Sequence, residues 1–140
     1  MQNKHTVCDV SYRINEAHLA YKCVGVMREI TKNEFGSLVN QTSGVVLIDF
    51  QAKRCSPCAS LRPQLEELSM LYKDRVNFLE VDVDKESDFT AQLGIRSVPT
   101  VLLFVNGQLK EKIAGREPIE LYKEKIEFYS SPVAELIPAV

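Results

Sequence analysis

The sequence predicts an α/β fold, and three observations predict it. From about residue 24 onward, segments patterned as strands alternate with segments patterned as helices. The run Val45-Val46-Leu47-Ile48-Asp49-Phe50 is apolar nearly throughout, as in a strand buried on both faces of a sheet. Directly behind that run stand two cysteines separated by two residues, Cys55-Ser56-Pro57-Cys58, and a helix-like stretch follows them.

The elements can be justified in order. Val24-Gly25-Val26-Met27 reads as a short first strand. Thr31 and Glu34 form a capping-box pattern, which opens a helix running through Phe35, Leu38 and Val39. Residues 45–51 form the second strand. After Pro57 a helix carries Leu61, Leu65, Leu68 and Leu71 at helical spacing. Pro63 lies inside it, deletes one hydrogen bond and is expected to kink the helix about one turn earlier. Residues 76–82 alternate as a strand, and residues 87–93 form a short helix ended by Gly94. Two last strands, 100–105 and 109–114, flank Asn106-Gly107, a strong hairpin turn signal. A final helix spans about residues 118–129, with Pro118 suited to its first turn. No repeats or low-complexity tracts occur.

Composition bounds the function classes. The chain has 140 residues, 45% hydrophobic and 26% charged, which suits one globular domain with a full core and short extensions. A net charge of -2 gives no basic face for phosphates, so nucleic acid is not an expected partner. No apolar run approaches the roughly 20 residues of a membrane span, so no membrane is expected either. The stretch Met1 to Asp9 holds one lysine and no apolar core, so no secretory signal is read there. Four cysteines are too few for a disulfide scaffold, and a cytoplasmic location is expected, where a CxxC pair cycles rather than staples.

A lone CxxC is ambiguous between half a zinc site and a redox pair. A zinc ribbon needs a second CxxC, and the sequence has none. Two cysteines at a helix start close a disulfide with little backbone movement. The helix N-terminus favours a thiolate on the first of them, and Lys53 and Arg54 add positive charge beside it. Cys55 is therefore the expected attacking thiolate. Cys58, one helical turn in, is shielded until it resolves the mixed disulfide. Asp49 is the other unusual residue: a carboxylate inside an apolar strand is costly to bury ionised, so its pKa should rise.

Residues from about 24 to 129 resemble a thioredoxin. The resemblance rests on Asp49-Phe50, Cys55-Ser56-Pro57-Cys58, Pro63, Val81-Asp82-Val83-Asp84, Gly94-Ile95-Arg96-Ser97-Val98-Pro99-Thr100 and Gly115, in that order. It implies a thioredoxin fold: a central mixed β-sheet flanked by helices on both faces and ending in an antiparallel hairpin. It implies that Asp49 lies behind Cys58 and takes its proton. Many bacterial members have lysine near that aspartate where this chain has Glu80, whose charge would raise the Asp49 pKa further. Val98-Pro99-Thr100 matches the family's cis-proline segment, so Val98 is expected to pair with an extended substrate and Pro99 to block metal access to the sulfurs. Arg54, Ser56, Pro57, Val98 and Pro99 would border the bound substrate.

The implied activity is thiol–disulfide exchange: a Cys55/Cys58 dithiol–disulfide cycle that reduces protein disulfides. No cofactor or metal is expected beyond that redox-active disulfide. The implied partners are disulfide-containing proteins and a thioredoxin-reductase-type electron donor, and the chain is expected to be a monomer. A binding module or partner subunit with a narrow client range is the second function class. Two departures bear on substrate range, reductase recognition and reduction potential. Arg54 stands where the family commonly has tryptophan, in a chain with no tryptophan at all, and Ser97 stands where glycine is frequent. Residues 1–23 form an extension outside the resemblance and residues 130–140 an apolar tail. Within the extension Cys8, Cys23, His5 and His18 match no zinc spacing, and the cysteines are read as thiols without a role.

Overall fold

The computed structural model describes residues 27–131, and five strands form one mixed sheet in the order β1-β3-β2-β4-β5. Its elements are β1 (Arg28–Glu29), α1 (Lys32–Phe35) with a π-helical continuation (Gly36–Asn40), β2 (Val45–Gln51) and α2 (Ser56–Leu71). They continue with β3 (Val76–Asp82), α3 (Ser87–Gln92), β4 (Thr100–Val105), β5 (Gln108–Ala114) and α4 (Ile119–Ser130). β2 lies at the centre, parallel to β3 and antiparallel to β4, and β4 and β5 form the closing hairpin.

Alternation along β2 sorts its side chains into two cores. Val45 and Leu47 pack with Leu61, Leu65, Leu68, Tyr122 and Ile126, beneath α2 and α4. Val46, Ile48 and Phe50 pack with Phe35, Val39, Phe89 and Ile95, beneath α1 and α3. The same alternation carries β3 and β4: Phe78 and Leu103 join the first core, Val81 and Leu102 the second. The expected helices on both faces of the sheet are thus present.

Two sequence expectations need correction, the first strand and the start of the last helix. The first described strand is Arg28–Glu29, paired with Leu79 and Glu80, and Met27, expected within a strand, lies outside it. Met27 is instead a buried core residue just ahead of it, and residues 24–26 lie outside the described residues. Leu71 is 63% exposed, because the buried stripe of α2 runs Leu61, Leu65, Leu68, Tyr72 in steps of four and three. A further step of three from Leu68 rotates Leu71 off that stripe. Pro118 caps α4 from outside rather than opening its first turn. The capping box of α1 does form, the Glu34 carboxylate accepting from the Thr31 backbone N–H at 3.0 Å. α2 is continuous through Pro63.

The hairpin turn takes both residues to positive φ, Asn106 at 52° and Gly107 at 83°, the requirement of the tight turn that fits strand twist. A Cβ on Gly107 would also collide with the Asn40 carbonyl oxygen. Gly36, by contrast, is helical with open space around it. Gly107→Ala is therefore expected to lower stability by about 1–3 kcal/mol. Gly36→Ala should raise it by roughly 0.5–1 kcal/mol. Urea unfolding of both variants checks the pair, and equal effects would contradict the turn geometry.

Candidate active site

The sulfurs sit where β2 hands over to α2. β2 ends at Gln51, and Cys55 caps the 16-residue helix in extended conformation with Pro57 in its first turn. Proline is harmless there, because first-turn N–H groups lack an intrahelical partner. Cys55 and Cys58 form a disulfide with Cα atoms 5.2 Å apart. Cys55 Sγ accepts from the Cys58 backbone N–H at 3.1 Å, so the sulfur itself occupies the capping position. Once reduced, a thiolate there meets that N–H and the positive end of the helix. Cys55 is half-buried while Cys58 is 3% exposed, so only the first sulfur is open to a partner.

The loop before β4 closes the site from the other side. The Val98–Pro99 peptide is cis, and the Val98 carbonyl oxygen lies 3.7 Å from Cys55 Sγ. The oxidised sulfur has no proton to donate across that gap, whereas a Cys55 thiol does. Pro99 is buried and its carbonyl accepts from the Gly115 N–H at 2.7 Å, while the Thr100 hydroxyl donates to the Ser97 carbonyl at 2.7 Å. Arg54, Ser56 and Pro57 are exposed around Cys55. The predicted border residues therefore come together from two distant segments.

Asp49 is fully buried, and among the described residues neither of its carboxyl oxygens has a hydrogen-bond partner. Its parity with Val45 and Leu47 places it on the sheet face that α2 and α4 cover, and α2 carries Cys58. Burial pushes its pKa from 3.8 up to about 7, and repulsion from Glu80 adds to the rise, against a lowering pull from Arg62. Glu80 is the in-register neighbour of Asp49 across β2 and β3. It too is buried and raised, chiefly by desolvation, with the Arg62 guanidinium opposing the rise. Arg62 donates to Glu80 through Nη1 and to Glu66 through Nε at 2.9 Å. From α4, Tyr122 places its hydroxyl 3.1 Å from the Glu117 N–H and 3.3 Å from the Gly115 carbonyl. Burial raises the Tyr122 pKa, and the Asp49 charge contributes to that rise.

A thioredoxin family model matches residues 26–127. Thioredoxin from Staphylococcus aureus is 36% identical over 99 residues, 71% of this chain and 93% of that one. The M-type chloroplastic thioredoxin of Spinacia oleracea is 32% identical over 113 residues, 81% of this chain. The alignment spans 62% of the spinach protein's length, under two thirds of it. Among solved structures, a mutant thioredoxin from Halobacterium salinarum superposes with a TM-score of 0.69 at 30% identity, covering 79% of this chain and 93% of its own. A Malassezia sympodialis thioredoxin does so at 0.68 and 34%, covering 75% and 91%.

The chain belongs to the thioredoxin family. The redox motif of this thioredoxin-family chain sits at the predicted place, and the expected effect of Glu80 on Asp49 has a structural basis in their register. What sequence reasoning missed is Arg62. It lies one turn beyond Cys58, and its spacing of four from Glu66 was the available signal. Its link to Glu80, 18 residues away, was not visible along the chain. Cys8, Cys23, His5 and His18 lie outside the described residues. Among the described residues no cluster of three His, Cys, Asp or Glu is arranged to hold a metal, and no helix is long and apolar enough to cross a membrane.

Two expectations follow from the buried carboxylate. A raised carboxyl pKa means that the folded state holds its proton at pH values where the unfolded chain has lost it. Asp49 therefore costs no stability below about pH 3.8, and its cost grows as pH rises toward about 7. Asp49→Asn should raise stability at pH 8 by on the order of 2–4 kcal/mol and change it little near pH 4, measured by urea unfolding at both. Glu80→Gln removes the repulsion and leaves Arg62 free to attract Asp49. It should move the Asp49 titration below about 7, read by infrared or carbon NMR of the carboxyl group. An unmoved midpoint would mean that Glu80 does not act on Asp49.

Proposed function

We propose that the protein is a thiol–disulfide oxidoreductase that reduces protein disulfides through a Cys55/Cys58 cycle. The observation that carries this is one disulfide with two unlike sulfurs: Cys55 accessible at a helix N-terminus, Cys58 buried on the element packed over an unpartnered carboxylate. In the reduced form the Cys55 thiolate attacks one substrate sulfur and expels the other, leaving a mixed disulfide. Cys58 then loses its proton to Asp49 and attacks Cys55 Sγ, expelling the second substrate thiolate. Two electrons pass to the substrate, and the Cys55–Cys58 disulfide remains.

Asp49 suits that role because its pKa lies close to neutrality, where it can both take and return a proton. A partner of the thioredoxin-reductase type would restore the dithiol, and the cycle needs no bound cofactor. The setting that fits is a reducing compartment such as the cytoplasm, with the chain acting as a monomer on disulfide-containing proteins. Val98, half-buried against Cys55, offers its backbone to an extended substrate segment.

Insulin reduction driven by a thioredoxin reductase tests the assignment, and the wild-type chain should turn over. Iodoacetamide should label Cys55 first, with an apparent pKa below the ~8.5 of free cysteine. Cys58→Ser should accumulate mixed disulfides on Cys55, and Cys55→Ser should accumulate none. The rate of mixed-disulfide resolution should rise with pH through about 7 and lose that step in Asp49→Asn. Full turnover by Cys55→Ser would overturn the cycle.

A further inference from the structure

The arginines of this chain divide by position. Six lie among the described residues. Arg28, Arg62 and Arg75 each pair with a glutamate: Glu34 at 2.7 Å, Glu66 at 2.9 Å and Glu127 at 3.5 Å, respectively. The other three, Arg54, Arg96 and Arg116, are exposed and enter no ion pair among the described residues. All three flank the redox site. Arg54 precedes Cys55, and the exposed Lys53, likewise without an ion pair among the described residues, precedes Arg54. Arg96 stands two residues before Val98, whose carbonyl faces Cys55 Sγ. Arg116 follows Gly115, whose N–H holds the Pro99 carbonyl.

In a chain of net charge -2, three segments that meet at the redox site thus each carry an exposed arginine that enters no ion pair among the described residues. Guanidinium groups stay charged at every relevant pH and bind carboxylates in a two-point fork, with less desolvation than an ammonium needs. A groove of about 280 Å³ adjoins the site through Val98. Its wall includes Val83, Ala91, Ile95, Arg96 and Val98, so it shares Val98 with the site and carries one of the three arginines. Apolar lining accepts a client side chain, and Arg96 sets a charge beside it. Asp84 and Asp88 are exposed and adjoin the groove residues Val83 and Ser87, so negative charge is favoured only at the cysteine end.

We infer that the cationic rim of Arg54, Arg96 and Arg116 selects client disulfides whose cysteines are flanked by Asp or Glu. This rests on the oxidoreductase assignment and adds the substrate class. Arg54 contributes at the position nearest the sulfur, where a hydrated, hydrogen-bonding cation replaces an apolar plate and narrows the acceptable neighbours.

Three synthetic peptides, each with one disulfide and identical except for two Glu, two Gln or two Lys beside the cysteines, make the test. Each is mixed with excess prereduced protein, and its reduction rate is normalised to that with dithiothreitol, which cancels intrinsic peptide reactivity. At about 0.02 M ionic strength the Glu peptide should react roughly tenfold faster than the Lys peptide, with the Gln peptide between them. At about 0.5 M the ratio should fall to within about twofold, since salt screens exposed charges beyond a few ångströms. The ratio should approach one in the triple variant Arg54→Gln, Arg96→Gln, Arg116→Gln, and drop below one in Arg54→Glu, Arg96→Glu. Each ratio compares peptides on one protein, so any change in Cys55 reactivity cancels. Equal wild-type rates, or a Glu preference unchanged in the triple variant, would overturn the charge selection. Failure of the wild-type protein to reduce any of the peptides would instead overturn the oxidoreductase assignment.

Discussion

β2 is enclosed on all four sides: β3 and β4 take its backbone groups, α2 and α4 cover one face, and α1 and α3 cover the other. Every side chain from Val45 to Phe50 is buried as a result. Enclosure fixes the register, since a slip of one residue would exchange the contents of two cores. It also leaves no route to solvent for Asp49, the polar side chain in the middle of that run. The redox motif inherits its position from this strand, because its end at Gln51 lies four residues before the capping cysteine of α2.

Asp49 is where that enclosure turns into chemistry. A carboxylate with no donor in reach among the described residues, and a second carboxylate beside it in register, gives up its charge near neutral pH rather than near pH 4. Glu80 is in a different position, because Arg62 reaches in from α2 to meet it and remains partly exposed itself. Burial raises the pKa of both acids, but Glu80 has a guanidinium that opposes the rise through an ion pair, while Asp49 has no hydrogen-bond partner among the described residues. A difference of that kind suits acid–base work on a buried thiol.

Around the sulfurs the division of labour is geometric. Helix capping places Cys55 at the surface, and one turn of helix places Cys58 beneath it. The loop before β4 sets a carbonyl oxygen beside the Cys55 sulfur. Among the arginines, Arg28, Arg62 and Arg75 pair with nearby glutamates, and Arg54, Arg96 and Arg116 enter no ion pair among the described residues.

The end of α3, the hairpin turn and the central strand were all legible in the chain, because each follows from local chemistry: Gly94 at positive φ, the Asn106-Gly107 pair, and a nearly continuous apolar run. So was the redox pair, since its spacing and its place between strand and helix are properties of the chain. The strand at Arg28–Glu29 was not legible, because these two exposed residues form it through pairing with β3 rather than through their own pattern. Leu71 stands at helical spacing in α2 yet is exposed, because the direction of the buried stripe depends on what the helix packs against. The apolar residues on either side of Asp49 were enough to tell that it would be buried and would titrate abnormally. The resemblance pointed to Glu80 as a neighbour that raises its pKa, whereas the opposing pull of Arg62 emerged only on folding, because electrostatic interaction depends on distance through space and not along the chain.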